Sequence, residues 1–220
     1  MASAELTAWR AHGRELRVFG HDIFLVDTGP RAAADAHTPI LFLHGYPTSS
    51  LDLRGALPRL SGRRRVVAHD HLGFGLSARP DDYAYTLIDQ AEVALGVWRA
   101  LGIQRAHLVA HDYGTSVATE LLARRERGLL PIDLASLTLC NGSMHIELSR
   151  LKLTQKLLKH PTLGPILARV TTKRLFTAQL RSIFADPGSV TDEELALHWE
   201  LLLHNDGRRH LARVSRYQED

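Results

Sequence analysis

Leu108-Val109-Ala110-His111-Asp112-Tyr113-Gly114-Thr115-Ser116 decides how this chain is read. An apolar run ends at Asp112, and a helix-compatible run follows it. Ala110 and Gly114 stand two residues before and two residues after that aspartate. This is the pattern of a sharp strand-to-helix turn that lifts one reactive side chain clear of the backbone, where the flanking positions must be small. The residue usually held there is serine; here it is an aspartate. A plainer reading competes, because a short polar residue at a strand–helix junction commonly caps the helix.

Working outward, residues 106–111 form the strand that feeds the turn, and residues 115–125 the helix that leaves it. Upstream, residues 39–43 (PILFL) and 65–69 (RVVAH) are apolar runs of the kind buried on both faces of a parallel sheet. Residues 16–19 and 23–26 predict a hairpin around Gly20-His21-Asp22. Residues 51–60 predict a short helix. Residues 86–101 predict a longer one, with Leu87, Ala91, Leu95, Trp98 and Leu101 on one face and Gly102 as its stop. Residues 137–140 read as a sixth strand. Strands alternating with helices predict an α/β fold, a mostly parallel sheet with helices on both faces. After Asn141 the pattern changes. Residues 151–159, 166–181 and 192–203 read as helices broken by Pro161, Pro165 and Pro187. The expected organisation is a core over residues 1–143 and a helical lid over residues 144–217.

Two further motifs sit at strand ends. His44-Gly45-Tyr46-Pro47 follows the third predicted strand, and Asp70-His71-Leu72-Gly73-Phe74-Gly75-Leu76-Ser77 follows the fourth. Alone, the first is a plain turn. The glycines of the second suggest phosphate binding, but the lysine of a phosphate-binding loop is missing. Together with the Asp112 turn, in this order, they resemble the epoxide hydrolase and haloalkane dehalogenase branch of the α/β-hydrolases. The resemblance runs from about residue 16 to the end. The residues after the turn, and His204-Asn205-Asp206-Gly207, look closest to the mesoderm-specific transcript group and its bacterial relatives.

This resemblance implies an α/β-hydrolase fold in which Asp112 is the nucleophile. A carboxylate suits displacement at a saturated carbon and leaves an alkyl-enzyme ester. The backbone N–H groups of Tyr46 and Tyr113 are then the expected oxyanion hole, with His44, Gly45, Pro47, His111, Asn141, Trp199 and Tyr217 around the substrate. Dehalogenases of this branch usually carry tryptophan after the nucleophile and often asparagine in the Tyr46 slot, so both tyrosines count against halide release. Epoxide opening needs an acid near the leaving oxygen, which the branch supplies from lid tyrosines. Tyr217 is the one candidate there, and a surface role is its plainer reading. Trp199 either donates its N–H or simply packs. Some dehalogenases place the catalytic acid where Asn141 stands. The favoured expectation is epoxide-type chemistry on a small apolar substrate. Dehalogenation is the alternative, and a non-catalytic binding protein with the same fold is another.

No strand-like run follows the helical region, and about two strand–helix units of the family fold remain unaccounted for. The catalytic histidine and its acid partner are therefore expected beyond residue 220, leaving this chain inactive alone. Its lid histidines, His198, His204 and His210, read as surface residues.

Composition bounds the remaining classes. The net charge of +3 does not point to nucleic acid. One cysteine, Cys140, excludes an internal disulfide framework and suits a cytoplasmic protein. No stretch has the length of a signal peptide or a bilayer span. No metal-ligand spacing and no cofactor motif is present; His69-Asp70-His71 is the nearest approach to a metal set. Residues 149–176 carry Arg150, Lys152, Lys156, Lys159, Arg169, Lys173 and Arg174 and no acid. That is compatible with membrane-surface contact, although a solvated face is favoured.

Overall fold

The computed structural model describes residues 2–29, 38–142, 156–158, 160 and 162–216. A short N-terminal helix that the sequence pattern did not reveal, α1 (Ala4–Ala11), is capped by the Ser3 hydroxyl and buries Leu6 and Trp9. The hairpin follows as β1 (Gly13–Val18) and β2 (His21–Asp27). Its turn falls at Phe19-Gly20 rather than at 20–22, because both residues take positive φ, 47° and 81°.

Next come β3 (Ile40–Leu43), β4 (Val66–His69), β5 (Arg105–His111) and β6 (Asp133–Cys140). The sheet order is β1-β2-β4-β3-β5-β6. β2 pairs antiparallel with β1 and β4, and the remaining neighbours are parallel. β6 begins four residues before the apolar run at 137–140. Its first half carries Asp133, Ser136 and a register shift opposite Ala106/His107, so it escapes a search for continuous hydrophobicity. Among the described residues β6 is an edge of the sheet.

The alternation of side chains along the strands builds two cores. Ile23, Leu25, Val67 and Leu108 face one way, against Trp98 of α3 (Leu87–Ala100) and Val117 and Leu121 of α4 (Tyr113–Glu126). Phe24, Val26, Val66 and Ala68 face the other way, against Leu6, Trp9 and Leu57 of α2 (Leu57–Ser61). Burying each such large apolar side chain stabilises the fold by about 1.5–3 kcal/mol. Helices thus cover both faces. The expected helix at 51–60 is instead a 3-10 turn, Ser50–Leu53, followed by α2. Pro58 lacks the N–H that a continuous helix would use there.

After Asn141 the described chain is helical: α5 (Leu163–Val170), α6 (Lys173–Arg181), α7 (Asp192–Leu203) and α8 (Gly207–Val214). The helix expected over 166–181 splits at Thr171-Thr172, and the Thr172 hydroxyl caps α6. The region expected as a helix at 151–159 lies largely outside the described residues. These helices share a small core of Ala168, Phe176, Leu180, Leu195, Leu202 and Leu211. They dock on the sheet domain through Leu197 and Leu201 on one side and Val214 on the other. Arg79 fastens the junction, donating to the Gly75 carbonyl at 2.8 Å and to the Leu201 carbonyl at 3.1 Å. His204-Asn205-Asp206-Gly207 is the bend between α7 and α8. Asn205 and Asp206 are left-handed there (φ 48° and 53°), and a Cβ on Gly207 would lie 1.6 Å from an Arg79 guanidinium nitrogen.

Among the described residues no helix is long and apolar enough to cross a membrane.

Candidate active site

β5 ends at His111, and α4 begins at Tyr113. Asp112 between them has φ 49° and ψ −113°, outside the ordinary regions for a residue with a side chain. Its surroundings hold it there. Its N–H donates to the Cys140 carbonyl at 2.9 Å, and its carbonyl accepts from the Thr115 amide at 2.9 Å and the Thr115 hydroxyl at 2.6 Å. Gly114 donates to the His44 carbonyl at 3.0 Å, and a Cβ on it would sit 2.4 Å from the Leu43 carbonyl oxygen. The small residue demanded two positions after Asp112 therefore has a concrete cause: α4 starts against the backbone of β3.

The Asp112 side chain makes no capping hydrogen bond to α4. Its Oδ1 instead accepts the Tyr46 amide at 2.7 Å. The capping explanation therefore does not account for the aspartate. Gly45 lies directly beneath, where a Cβ would approach the Asp112 Cβ to 2.9 Å and His111 Nδ1 to 3.0 Å. The Tyr46–Pro47 peptide is cis. Tyr113 opens α4, so its N–H belongs to the first turn of the helix; its ring is buried against His71 and Phe74, with centroids 5.2 and 5.3 Å away.

A cavity of about 440 Å³ lies over Asp112. Tyr46, His111 and Asn141 form its floor with Asp112, and Leu180, Ile183 and Phe184 from the helical segment form an apolar roof. Of the residues expected around a substrate, His111 and Asn141 reach it. His44 does not: its ring is turned into the core, where Nε2 accepts the His71 amide at 2.9 Å. Gly45 is buried under Asp112 rather than in the wall, and Pro47 faces an adjoining crevice with Phe74 and Leu202. Trp199 packs on Phe176 with ring centroids 5.6 Å apart, and Arg208 lies 6.0 Å over its ring. Tyr217 lies outside the described residues, as does much of the basic stretch at 149–159.

Five polar cavity residues were not foreseen: Thr48, Asp52, Arg54, Glu194 and His198. Asp52 follows Leu51 in the 3-10 turn after the Gly45-Tyr46 loop, and an acid between two buried leucines was the available signal. Asp52 is exposed where it opens into the cavity. Lost solvation beside the surrounding protein still pushes its pKa up to about 7, the Thr48 hydroxyl opposing and the carboxylates of Asp70 and Asp112 adding to the rise. His198, expected at the surface, faces the cavity; burial lowers its pKa to about 4, and its Nδ1 has no hydrogen-bond partner. His210, also expected at the surface, is buried, with Nε2 3.4 Å from Asp81.

The Asp70 loop has a structural purpose. Asp70 is fully buried; Oδ1 accepts the Ser50 amide and Oδ2 the Leu76 amide, each at 2.7 Å. Gly75, with φ 49°, leaves room for that carboxylate, since a Cβ there would lie 2.0 Å from Oδ2. Asp70 thus ties the glycine loop to the turn bearing Asp52. With both oxygens engaged by amides it is not a ligand alongside His69 and His71. Among the described residues no group of three or more histidine, cysteine or acidic side chains could hold a metal ion.

Residues 38–176 match the family model of the alpha/beta hydrolase fold. The "Putative hydrolase LipZ" of Mycobacterium tuberculosis is 41% identical over 209 residues, 95% of this chain and 70% of that protein. The mesoderm-specific transcript protein of Mus musculus is 37% identical over 212 residues; the match spans 93% of this chain and 62% of that protein. Among solved structures, the haloalkane dehalogenase DatA of Agrobacterium tumefaciens superposes with a TM-score of 0.74 at 26% identity, over 93% of this chain and 67% of that one. A strained strand–helix turn bedded on the neighbouring strand, the sheet order around it and these matches agree: the chain belongs to the alpha/beta hydrolase fold family.

Proposed function

We propose that this chain is the nucleophile-bearing part of a hydrolase in which Asp112 displaces a leaving group from a saturated carbon of a small, largely apolar epoxide. The observation that carries the reading is the Asp112 carboxylate, free of any capping bond, bonded to the Tyr46 amide and lining a cavity with an apolar roof. One Asp112 oxygen attacks the substrate carbon and the product is an alkyl ester. When that ester is hydrolysed, charge develops on the Asp112 oxygen that faces the Tyr46 amide. A donor in that position is typically worth about 3–4 kcal/mol of barrier. The Tyr113 amide is the second donor in this reading, and the helices after β6 act as the lid.

A second reading, haloalkane dehalogenation, draws support from the likeness to DatA. Against it stand Tyr46 and Tyr113, where halide-binding N–H side chains are expected.

Incubating the protein with epoxyhexane tests the proposal. The expected result is one added epoxide mass per chain, mapped by peptide fragmentation to Asp112, or release of the diol. An unmodified chain without diol, or an adduct that persists in Asp112→Asn, would overturn it.

A further inference from the structure

Ring opening of an epoxide sends an electron pair to oxygen, and that oxygen needs a proton. A halide leaves as a stable anion and needs none. The cavity must therefore contain an acid if its substrate is an epoxide. The groups facing it are Asp112 itself, His111 and Tyr46 on the floor, and Asp52, Arg54, Glu194 and His198 at the sides.

Most of these are poor proton donors. Arg54 is directed toward carboxylates on two other elements, Glu5 at 3.6 Å and Glu194 at 3.7 Å. His198 is held neutral by burial, and a neutral imidazole gives up its N–H reluctantly. The Tyr46 hydroxyl is a phenol, intrinsically a weaker acid than a carboxylic acid.

Asp52 is built differently. The Thr48 hydroxyl sits 2.5 Å from its Oδ2 and 3.1 Å from the Gly45 carbonyl. That hydroxyl has two acceptors and one proton. With Asp52 ionised, Thr48 donates to the carboxylate. With Asp52 protonated, Thr48 donates to Gly45 and its oxygen lone pairs remain available to the carboxyl. Either charge state of Asp52 is thus accommodated without moving the backbone. Gly45 immediately precedes the amide that holds Asp112, so the two carboxylates are set by one loop.

We infer that Asp52 is the proton donor of this site, giving its proton to the epoxide oxygen as Asp112 attacks carbon. The inference rests on the reading of Asp112 given above. The step balances: an Asp112 oxygen bonds to the ring carbon, the carbon–oxygen bond breaks toward oxygen, and that oxygen takes the Asp52 proton. The products are a hydroxyalkyl ester at Asp112 and a carboxylate at Asp52. The cavity carries one negative charge before and after. Repulsion by ionised Asp112 helps hold the proton on Asp52 beforehand. Conversion of Asp112 to a neutral ester removes that repulsion, so Asp52 becomes more acidic as its proton is needed.

The test compares two reagents on the full chain, epoxyhexane and bromohexane, by the rate of mass increase at Asp112. Asp52→Asn keeps the shape and removes the acid. It should lower the epoxide-to-bromide ratio of labelling rates by about a hundredfold, the lower end of what general acid catalysis contributes. In the unsubstituted chain, epoxide labelling should slow as pH rises through about 7, and Asp52→Asn should abolish that dependence. If Asp52→Asn slows both reagents equally, its role is structural and the inference fails. A ratio lost in Tyr46→Phe but kept in Asp52→Asn would assign the proton to the phenol instead. Should bromohexane give no adduct, the pH profile with epoxide decides. Absence of any Asp112 adduct from either reagent would overturn the nucleophile itself, a failure distinct from that of the acid.

Discussion

The Tyr46 amide reaches across 66 residues of sequence to donate a 2.7 Å hydrogen bond to Oδ1 of Asp112. The aspartate is therefore oriented by a loop of another strand rather than by the helix it precedes. Replacing Asp112 by Asn keeps an acceptor for Tyr46 and removes the nucleophile. Covalent labelling should vanish while the urea midpoint stays close to that of the unsubstituted chain. A large loss of stability would show instead that the charge serves the fold.

Gly114 and Gly102 separate crowding from backbone strain. Gly114→Ala places a Cβ 2.4 Å from the Leu43 carbonyl oxygen, in backbone that cannot yield without shifting β3. About 2–3 kcal/mol of destabilisation is expected. Gly102 ends α3 at φ 68° with nothing within 4 Å of a built Cβ, so Gly102→Ala meets only the left-handed penalty, about 1 kcal/mol. Equilibrium urea unfolding of both variants checks the order; equal losses would argue against the tight seat of α4.

Asp70→Ala should be among the most damaging changes outside the cavity. It leaves the Ser50 and Leu76 amides without the acceptors they use. At about 1–3 kcal/mol for each orphaned buried donor, a loss of several kcal/mol is expected. If thermal unfolding shows that Asp70→Ala is no worse than Gly102→Ala, the loop is not held in this way.

Stability should fall in mild acid. Burial holds His44 at about 3 and His69 at about 4, and lowers His71 well below its ordinary value. The unfolded chain takes up these protons near pH 6.5 and the folded one does not. Stability is therefore complete above about 6.5 and is lost as pH drops toward 4, by about 1.4 kcal/mol per pH unit for each such imidazole. Asp52, raised to about 7, has the opposite sign: it favours the folded state as pH falls from 7 toward 3.8. It and Asp70, whose pKa burial also raises, offset part of the loss, but the three imidazoles, joined by His198 and His204 at about 4, outweigh these two carboxyls. A urea midpoint at pH 5 equal to or above that at pH 7 would contradict this balance.

Much of this was legible in sequence because it is local. Continuous apolar runs announced β3 and β4, helical spacing announced α3, and the small residues around Asp112 announced the turn. What escaped lacked a local signature. The start of β6 is polar, α1 is short, and 51–60 had to break at Pro58. Proximity in sequence also misled: His44 belongs to the right loop, yet its ring serves the core by accepting the His71 amide.

The sequence by itself determined the order of strands and helices and the residue offered at the sharp turn, since periodicity and side-chain size act over a few residues. Only the tertiary structure decided what that residue faces. Tyr46 with Asp52, Asp112 and His198 come from three separate segments, and no spacing rule relates the three. They share one cavity because β3 and β5 are neighbours and α7 folds back over their ends, burying Leu197 and Leu201 against one face of the sheet and Leu195 and Leu202 in the core of the helical segment.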